Sequence, residues 1–424
     1  MGKAGEHGNR LAVSPRQNHM NHRARFTVVL SSTVMVALLL FGSVISKGAG
    51  ASDTGSSDAD VYKHLHVYSQ VLSYISTEYV EEPNIPNVTL GALNGLLEAI
   101  DPYASYLNAT QYKEYLKNSD GHPADLGMVL AKKYGYIVVV SSAPGSPADK
   151  AGLTNGDYIE SINGVGSRDM PLAYAKLLLR GDPGSTVDLS VLRRKPEPQK
   201  MTLTRTIVAN PPVESRMLDG QIGYIKAATL GTGKVKEVSN AVADLQKQGA
   251  KKLILDVRNC ATGDPEDGAE LANLFQSKGM ITYAQGQKFP RKDYTADAKK
   301  VVSSLPLVVV TNRGTAAAAE VAAAGLQGSK RATVVGERTY GDASVLRPIT
   351  MEDGGAVILS VAKFYGPDGK SIQDNGVTPE TVIIDPDAGS GDPEEDDATP
   401  VPAAKKSSDD VILNKAIEVA KARA

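Results

Sequence analysis

The sequence predicts a multidomain α+β chain: a small N-terminal helical region, a compact β-rich module and an α/β core. Three observations predict it. Apolar residues recur at helical spacing from Asp60 to about Ser119, short β-branched runs broken by turn signals follow to Ile207, and strand-like and helix-like segments then alternate to Pro386. A chain of 424 residues that is 42% hydrophobic is long enough for two or more packed domains.

The first 25 residues are polar and carry Lys3, Arg10, Arg16, Arg23 and Arg25, whereas Phe26 to Ser46 contains no charge. An apolar run of about 21 residues is long enough to span a bilayer. The preceding positive residues place that end in the cytoplasm and the rest of the chain outside, on the periplasmic side. The competing reading is a cleaved export signal, because Ala49-Gly50-Ala51 forms an A-x-A site, although Lys47 intervenes. Residues 47–59, rich in Gly, Ala, Ser and Asp, read as a linker.

Residues 60–120 form the helical region, in which VYSQVLSYISTEYV and TLGALNGLLEAI show helical periodicity and DPYASYL stands between helices. Residues 121–208 form the β-rich module. There DLGMVLAKKYGYIVVVSSA reads as two strands around a turn, DYIESINGV as a hairpin through Asn163-Gly164, LAYAKLLLR as a helix, and VDLSVLRR and KMTLTR as closing strands. Residues 209–386 form the core, where QIGYIKA, KLILDVRN, MITYA, LPLVVVTN, RATVVGE and AVILSVAKFY alternate with helical segments. Residues 387–410 are acidic and contain Pro and Ser, so they cannot build a core, and 411–424 predict an amphipathic helix that packs back on the body.

Composition excludes several functions. A net charge of -2 offers no field for nucleic acid. The single cysteine, Cys260, excludes internal disulfides and a thiolate zinc site. All six histidines precede residue 123, so a Ser-His-Asp triad or a His-ligated metal in the main body is excluded, and chemistry there needs lysine, carboxylate or tyrosine. The consecutive carboxylates at 394–397 lack the turn glycine of a calcium loop.

The most informative stretch is Pro306 to Leu326. A buried strand, a tight turn at Asn312-Arg313-Gly314 and a helix from Ala316 onward have the layout of a serine-nucleophile turn, which presents a side chain where helix N–H groups stabilise an oxyanion. Here that place is filled by alanines.

DPYASYL, GSPADKAGLTNGDYIESINGV, IGYIKA, KQGAKKLILDVRN, GERTYG and YGPDGKSIQDNGVTPE occur in the order in which related segments occur in the carboxyl-terminal processing peptidases, or tail-specific proteases. The chain resembles that family from about residue 62 to its end. The resemblance implies that the β-rich module is a PDZ domain and that the core has the crotonase/Clp-like fold. It also implies a membrane-anchored or exported endopeptidase in which the PDZ domain captures a substrate's C-terminal tail and a Ser/Lys dyad cleaves it, a nearby glutamine orienting the lysine. In such a dyad a lysine kept neutral by burial takes the serine proton, so no histidine, metal or cofactor is needed.

Residue by residue, the catalytic set is missing. The family pattern G-[ST]-A-S-A-[AS]-E corresponds to Gly314 through Glu320, which puts Ala317 in the nucleophile's place. In the segment Gly336 to Leu346, Asp342 stands in place of the lysine and Leu346 in place of the glutamine. In the oxyanion loop, Asp256 to Gly263, Thr262 replaces a glycine; Gly263 and the N–H of Ala318 are the residual oxyanion candidates. A β-branched threonine resists positive φ, so a reshaped loop is expected. Three losses together point to a natural pseudoenzyme, because a laboratory inactivation would change the serine alone. Removing a cooperating nucleophile and base costs about six orders of magnitude in turnover.

The PDZ signature carries the candidate binding site. Asp125, Leu126, Gly127 and Met128 occupy the position of the carboxylate-binding loop, and Leu177 or Leu178 on the following helix would line a pocket for an apolar C-terminal residue. Expected partners are polypeptide C-termini, an active homologue or a second copy, and the membrane through residues 26–46. The alternative reading is an endopeptidase with an unconventional nucleophile, Ser344 or Cys260.

Overall fold

The computed structural model describes residues 54–121, 124–168, 170–193, 197–384 and 410–423. The apolar run at 26–46 and nearly all of the acidic tract lie outside them. Among the described residues no helix is long and apolar enough to cross a membrane. The chain divides into two units, the second starting at Pro86. The first unit contributes helix α1 (Thr54–Glu78), along which Val61, Leu65, Tyr68 and Tyr74 are exposed.

Helix α2 (Ile85–Glu98) opens the second unit, followed by strand β1 (Ser105–Leu107) and α3 (Ala109–Gly121). The DPYASYL segment connects these two helices, as read from the sequence, and ends in the short strand β1. It pairs antiparallel with β18 (Ala356–Tyr365), and Asn94 of α2 accepts the Tyr106 N–H at 3.0 Å.

The β-rich module is a six-stranded antiparallel sheet. Strands β3 (Met128–Lys133), β4 (Tyr136–Ser142), β5 (Tyr158–Ile162), β7 (Thr186–Leu192) and β8 (Gln199–Thr204) are ordered consecutively, and β6 (Val165–Gly166) pairs β5. Tyr134-Gly135 and Asn163-Gly164 make the two tight hairpin turns, all four residues at positive φ, as a two-residue loop between right-twisted strands requires. Strand β2 (Ala124–Asp125) pairs β9 (Thr206–Ile207) and closes the module. The short helix α4 (Pro147–Lys150) is capped by Ser146, and α5 (Leu172–Leu179) completes the wall beside β3.

In the core sheet β10 (Glu214–Leu218) runs antiparallel to β11 (Ile222–Lys226). Strands β12 (Lys252–Asp256), β15 (Leu307–Thr311), β16 (Ala332–Gly336) and β19 (Thr381–Val382) continue it in parallel. Alternate side chains face opposite layers. Leu307 and Val309 pack with residues of α6 (Lys234–Lys247), α7 (Pro265–Asn273) and α8 (Ala318–Gly328), whereas Val308 and Val310 pack with Ile412, Ala416 and Ala420 of α9 (Val411–Ala422). Arg258 fixes the start of α9 by bridging Asp256 and Asp410 at 2.6 and 2.8 Å. A second sheet joins β1, β18, β13 (Met280–Gln285) and β14 (Lys292–Thr295), and β17 (Ser344–Thr350) folds as a hairpin on β18.

The PDZ-side core continues into the α/β core. Ala261 and Ala316 belong to the same buried cluster as Leu130 and Val140, Asn155 donates to the carbonyls of Val140 and Arg313, and Lys132 of β3 meets Glu98 of α2 at 2.6 Å.

Candidate active site

The site is built where β15 ends. Asn312 and Asn259 interlock: the Asn259 N–H donates to Asn312 Oδ1 at 2.9 Å, and Asn312 Nδ2 donates to Asn259 Oδ1 at 2.8 Å. Gly314 passes so close that a Cβ would stand 2.5 Å from Asn259 Oδ1. Thr315 Oγ1 donates to the Val257 carbonyl at 2.9 Å, and the Ala316 N–H to the Cys260 carbonyl at 2.9 Å. The loop after β12 is thereby tied to the turn before α8.

The helix begins at Ala318 rather than Ala316, because Ala317 takes φ 53° and ψ -124°, which no helical residue can. This is the strained strand-to-helix elbow that presents a nucleophile in hydrolases, kept here by a residue with no reactive atom. Ala317 is also partly exposed, while Ala316, Ala318 and Ala319 are buried. No hydrogen bond among the described residues claims the Ala318 N–H.

Glu320, fully buried, holds the elbow to the following loop. Its carboxylate accepts from the Gly341 and Asp342 N–H groups at 2.6 and 2.8 Å, from the Thr339 hydroxyl, and from the Ala317 N–H at 3.2 Å. Burial pushes its pKa up to about 8 against the pull of those donors. The Ala317 N–H also donates to the Asp342 carbonyl at 3.0 Å, so these two residues are in direct backbone contact.

The Asp342 carboxylate accepts no hydrogen bond among the described residues. Burial raises its pKa, and Lys176 of α5 opposes that rise. Lys176 is exposed on α5; the protein around it lowers its pKa and Asp342 opposes that fall. Leu346, on β17 and 41% exposed, lines a small cavity with Lys176.

The loop from Asp256 to Gly263 puts its positive φ at Asn259 and Gly263, 58° and 98°, and not at Thr262, so the threonine sits without strain. A Cβ on Gly263 would stand 2.4 Å from the Leu230 carbonyl oxygen. Gly268 of α7 packs against the Ala318 carbonyl in the same way, a Cβ there standing 2.0 Å from its oxygen.

In the PDZ module, Gly127 has φ +75° and would place a Cβ 2.3 Å from that of Ser146. Its N–H is already engaged: Asp125 Oδ1 accepts it at 2.6 Å. The Asp125 carboxylate, its pKa raised by burial, thus occupies a donor that a peptide carboxylate would use. Leu126 is fully buried, Met128 packs partly on the module's core, Leu178 does likewise, and Leu177 is buried on the same helix.

The profile of peptidase family S41 matches residues 221–383, and that of a PDZ domain matches 138–193. Carboxy-terminal processing protease CtpA of Bacillus subtilis (strain 168) is 32% identical over 367 residues, covering 85% of this chain and 77% of its own. A carboxyl-terminal-processing protease of Synechocystis sp. is 31% identical, covering 73% and 74%. The chain belongs to this family of carboxyl-terminal processing peptidases. Among solved structures, the photosystem II D1 C-terminal processing protease superposes with a TM-score of 0.63 at 28% identity, covering 77% of this chain and 89% of its own.

Within the family's fold, neither substitute nucleophile is equipped. Cys260 is fully buried, and burial pushes its thiol up to about 12, so little thiolate exists at neutral pH. Ser344 Oγ accepts from Ser360 Oγ at 3.1 Å and makes no hydrogen bond to a lysine or carboxylate among the described residues. No group of three or more His, Cys, Asp or Glu among the described residues could hold a metal ion. Two residues of the site escaped sequence reasoning. Glu320 could have been found, as the terminal Glu of the nucleophile motif. Lys176 could not, because LAYAKLLLR reads as an ordinary amphipathic helix.

Proposed function

We propose that the chain is a proteolytically silent member of the family, a pseudoprotease that binds polypeptide C-termini through its PDZ domain or regulates an active relative. We place it at a membrane through residues 26–46, with the bulk of the chain on the extracytoplasmic side. The observation that carries the reading is Ala317 at φ 53° and ψ -124°, a partly exposed elbow residue whose side chain is a methyl. Asp342 beside it is a base with no hydroxyl proton to take, and Leu346 cannot orient anything by hydrogen bonding. The relatives' names describe C-terminal processing, which supports polypeptide tails as the ligand class.

The test is titration of the full chain with unstructured peptides ending in an apolar residue and a free carboxylate. Saturable binding that disappears when the terminus is amidated supports the PDZ part of the reading; absence of binding to either form overturns it.

A further inference from the structure

We propose that the outward face of the second sheet is a docking groove for a polypeptide segment rich in acidic and aliphatic residues. Alternate side chains of β18 face opposite ways. Ile358, Ala362 and Phe364 are buried, whereas Leu359, Val361, Lys363 and Tyr365 are half-buried on the other face. Helix α2 covers only the near end of that face, where Leu90, Leu93 and Leu97 pack with Val357 and Leu359. Beyond it lies a groove of about 520 Å³ over Leu359, Val361 and Tyr365. Strands β17 and β13 lie on opposite sides of β18, so Arg347 of β17 and Lys288 in the connection after β13 flank the groove from either side.

Charge selects the partner. Among the described residues three cations and no carboxylate line the groove. Lys363 is paired with Asp374 at 2.7 Å, but the exposed side chains of Arg347 and Lys288 make no ion pair or hydrogen bond among the described residues. Unpaired cations steer and hold carboxylates, and the half-buried aliphatic floor gains by covering with apolar side chains. From Leu359 to Tyr365 the floor runs about 20 Å, the length of about six extended residues, which suits a polypeptide better than a single small anion. Tyr365 closes the far end and is held flat by stacking on Tyr283, ring centroids 4.9 Å apart. The groove is separate from the elbow and the PDZ loop. Leu346 and Ile358 line the small cavity beside α5, whereas the groove takes the alternate residues Arg347, Ile349 and Leu359 on the reverse of the same hairpin.

The experiment uses the full chain and a fluorescent, unstructured peptide of Glu, Asp, Leu and Val with both ends blocked, followed by anisotropy. Blocking the C-terminus removes the carboxylate that the PDZ loop would need, so the result is independent of the proposed PDZ binding. The expected result is saturable binding that weakens about tenfold or more in the Arg347→Glu/Lys288→Glu variant and falls as salt is raised. Both residues are exposed, so the variant should keep the thermal midpoint of the parent. Should it not, Gln287→Glu in the same lining carries the test: weakened binding supports the groove and unchanged binding refutes it. No saturable binding by the parent chain overturns the proposal. Equal binding of a peptide with Lys in place of Glu and Asp, or unchanged affinity in the double variant, also overturns it. Adhesion to phosphatidylglycerol vesicles that is lost in the double variant, with no binding of the peptide, overturns it in favour of a membrane surface.

Discussion

Replacing Ala317 by glycine should stabilise this protein, against the usual effect of glycine next to a helix. A non-glycine residue held at φ 53° and ψ -124° stores about 1–3 kcal/mol of backbone strain that glycine does not feel. Against that relief, glycine costs about 0.4–1 kcal/mol through the greater freedom of the unfolded chain. The methyl is partly exposed, so its removal forfeits less than the ~0.8 kcal/mol of a buried CH₂ group. The balance is a gain of about 1 kcal/mol, or about 2 to 4 °C in thermal midpoint for domains of this kind. The assay is urea unfolding followed by circular dichroism and by tyrosine emission, which no tryptophan obscures. Ala318→Gly is the control: it is buried in the first turn of α8 and should cost about 1 kcal/mol or more. If Ala317→Gly destabilises as Ala318→Gly does, Ala317 is an ordinary helix residue and the inherited elbow is refuted.

Three further outcomes follow from the same geometry. Glu320→Gln should cost about 1–3 kcal/mol, because its amide NH₂ would face either the Gly341 N–H or the Asp342 N–H and leave that donor without an acceptor. The variant should also lose a pH dependence of the parent. The folded pKa of Glu320 is the higher one, so the folded state keeps its proton longer, and stability falls as pH rises from the usual carboxyl range to about 8. Denaturant midpoints across that window check both effects. Asp125→Ala frees the Gly127 N–H and should tighten free-carboxylate peptides about fivefold by calorimetry, the worth of one hydrogen bond. Gly127→Ala meets both positive φ and a 2.3 Å clash with Ser146, so it should lose about 2 kcal/mol or more on denaturation and abolish carboxylate-dependent binding.

The core was legible because parallel strands buried on both faces read as continuous apolar runs, as in Leu307 to Val310. The Asn163-Gly164 turn announced its hairpin by residue type alone. Strand β17 was hidden, since Arg347 and Pro348 interrupt any alternation and its place is set by β18. Strand β1 is three residues long and owes its existence to pairing with residues 356–358, far along the chain. At the site, Ala317, Asp342 and Leu346 were singled out by motif register, and the structure brings Ala317 and Asp342 into backbone contact. The proximity of Lys176 to Asp342 was not legible, because LAYAKLLLR reads as an ordinary amphipathic helix and nothing in it ties that exposed lysine to a loop far along the chain. Asp125 carried a usable signal, an Asx side chain two residues before the N–H it captures.

The most direct measurement is cleavage itself. The full chain, incubated at neutral pH with an unstructured protein and followed by mass spectrometry, should yield no fragments. The Ala317→Ser/Asp342→Lys/Leu346→Gln variant should yield them, because the elbow, the Glu320 tether and the oxyanion loop are already built. Fragments made by the unaltered chain, and lost on Cys260→Ala or Ser344→Ala, would contradict the account.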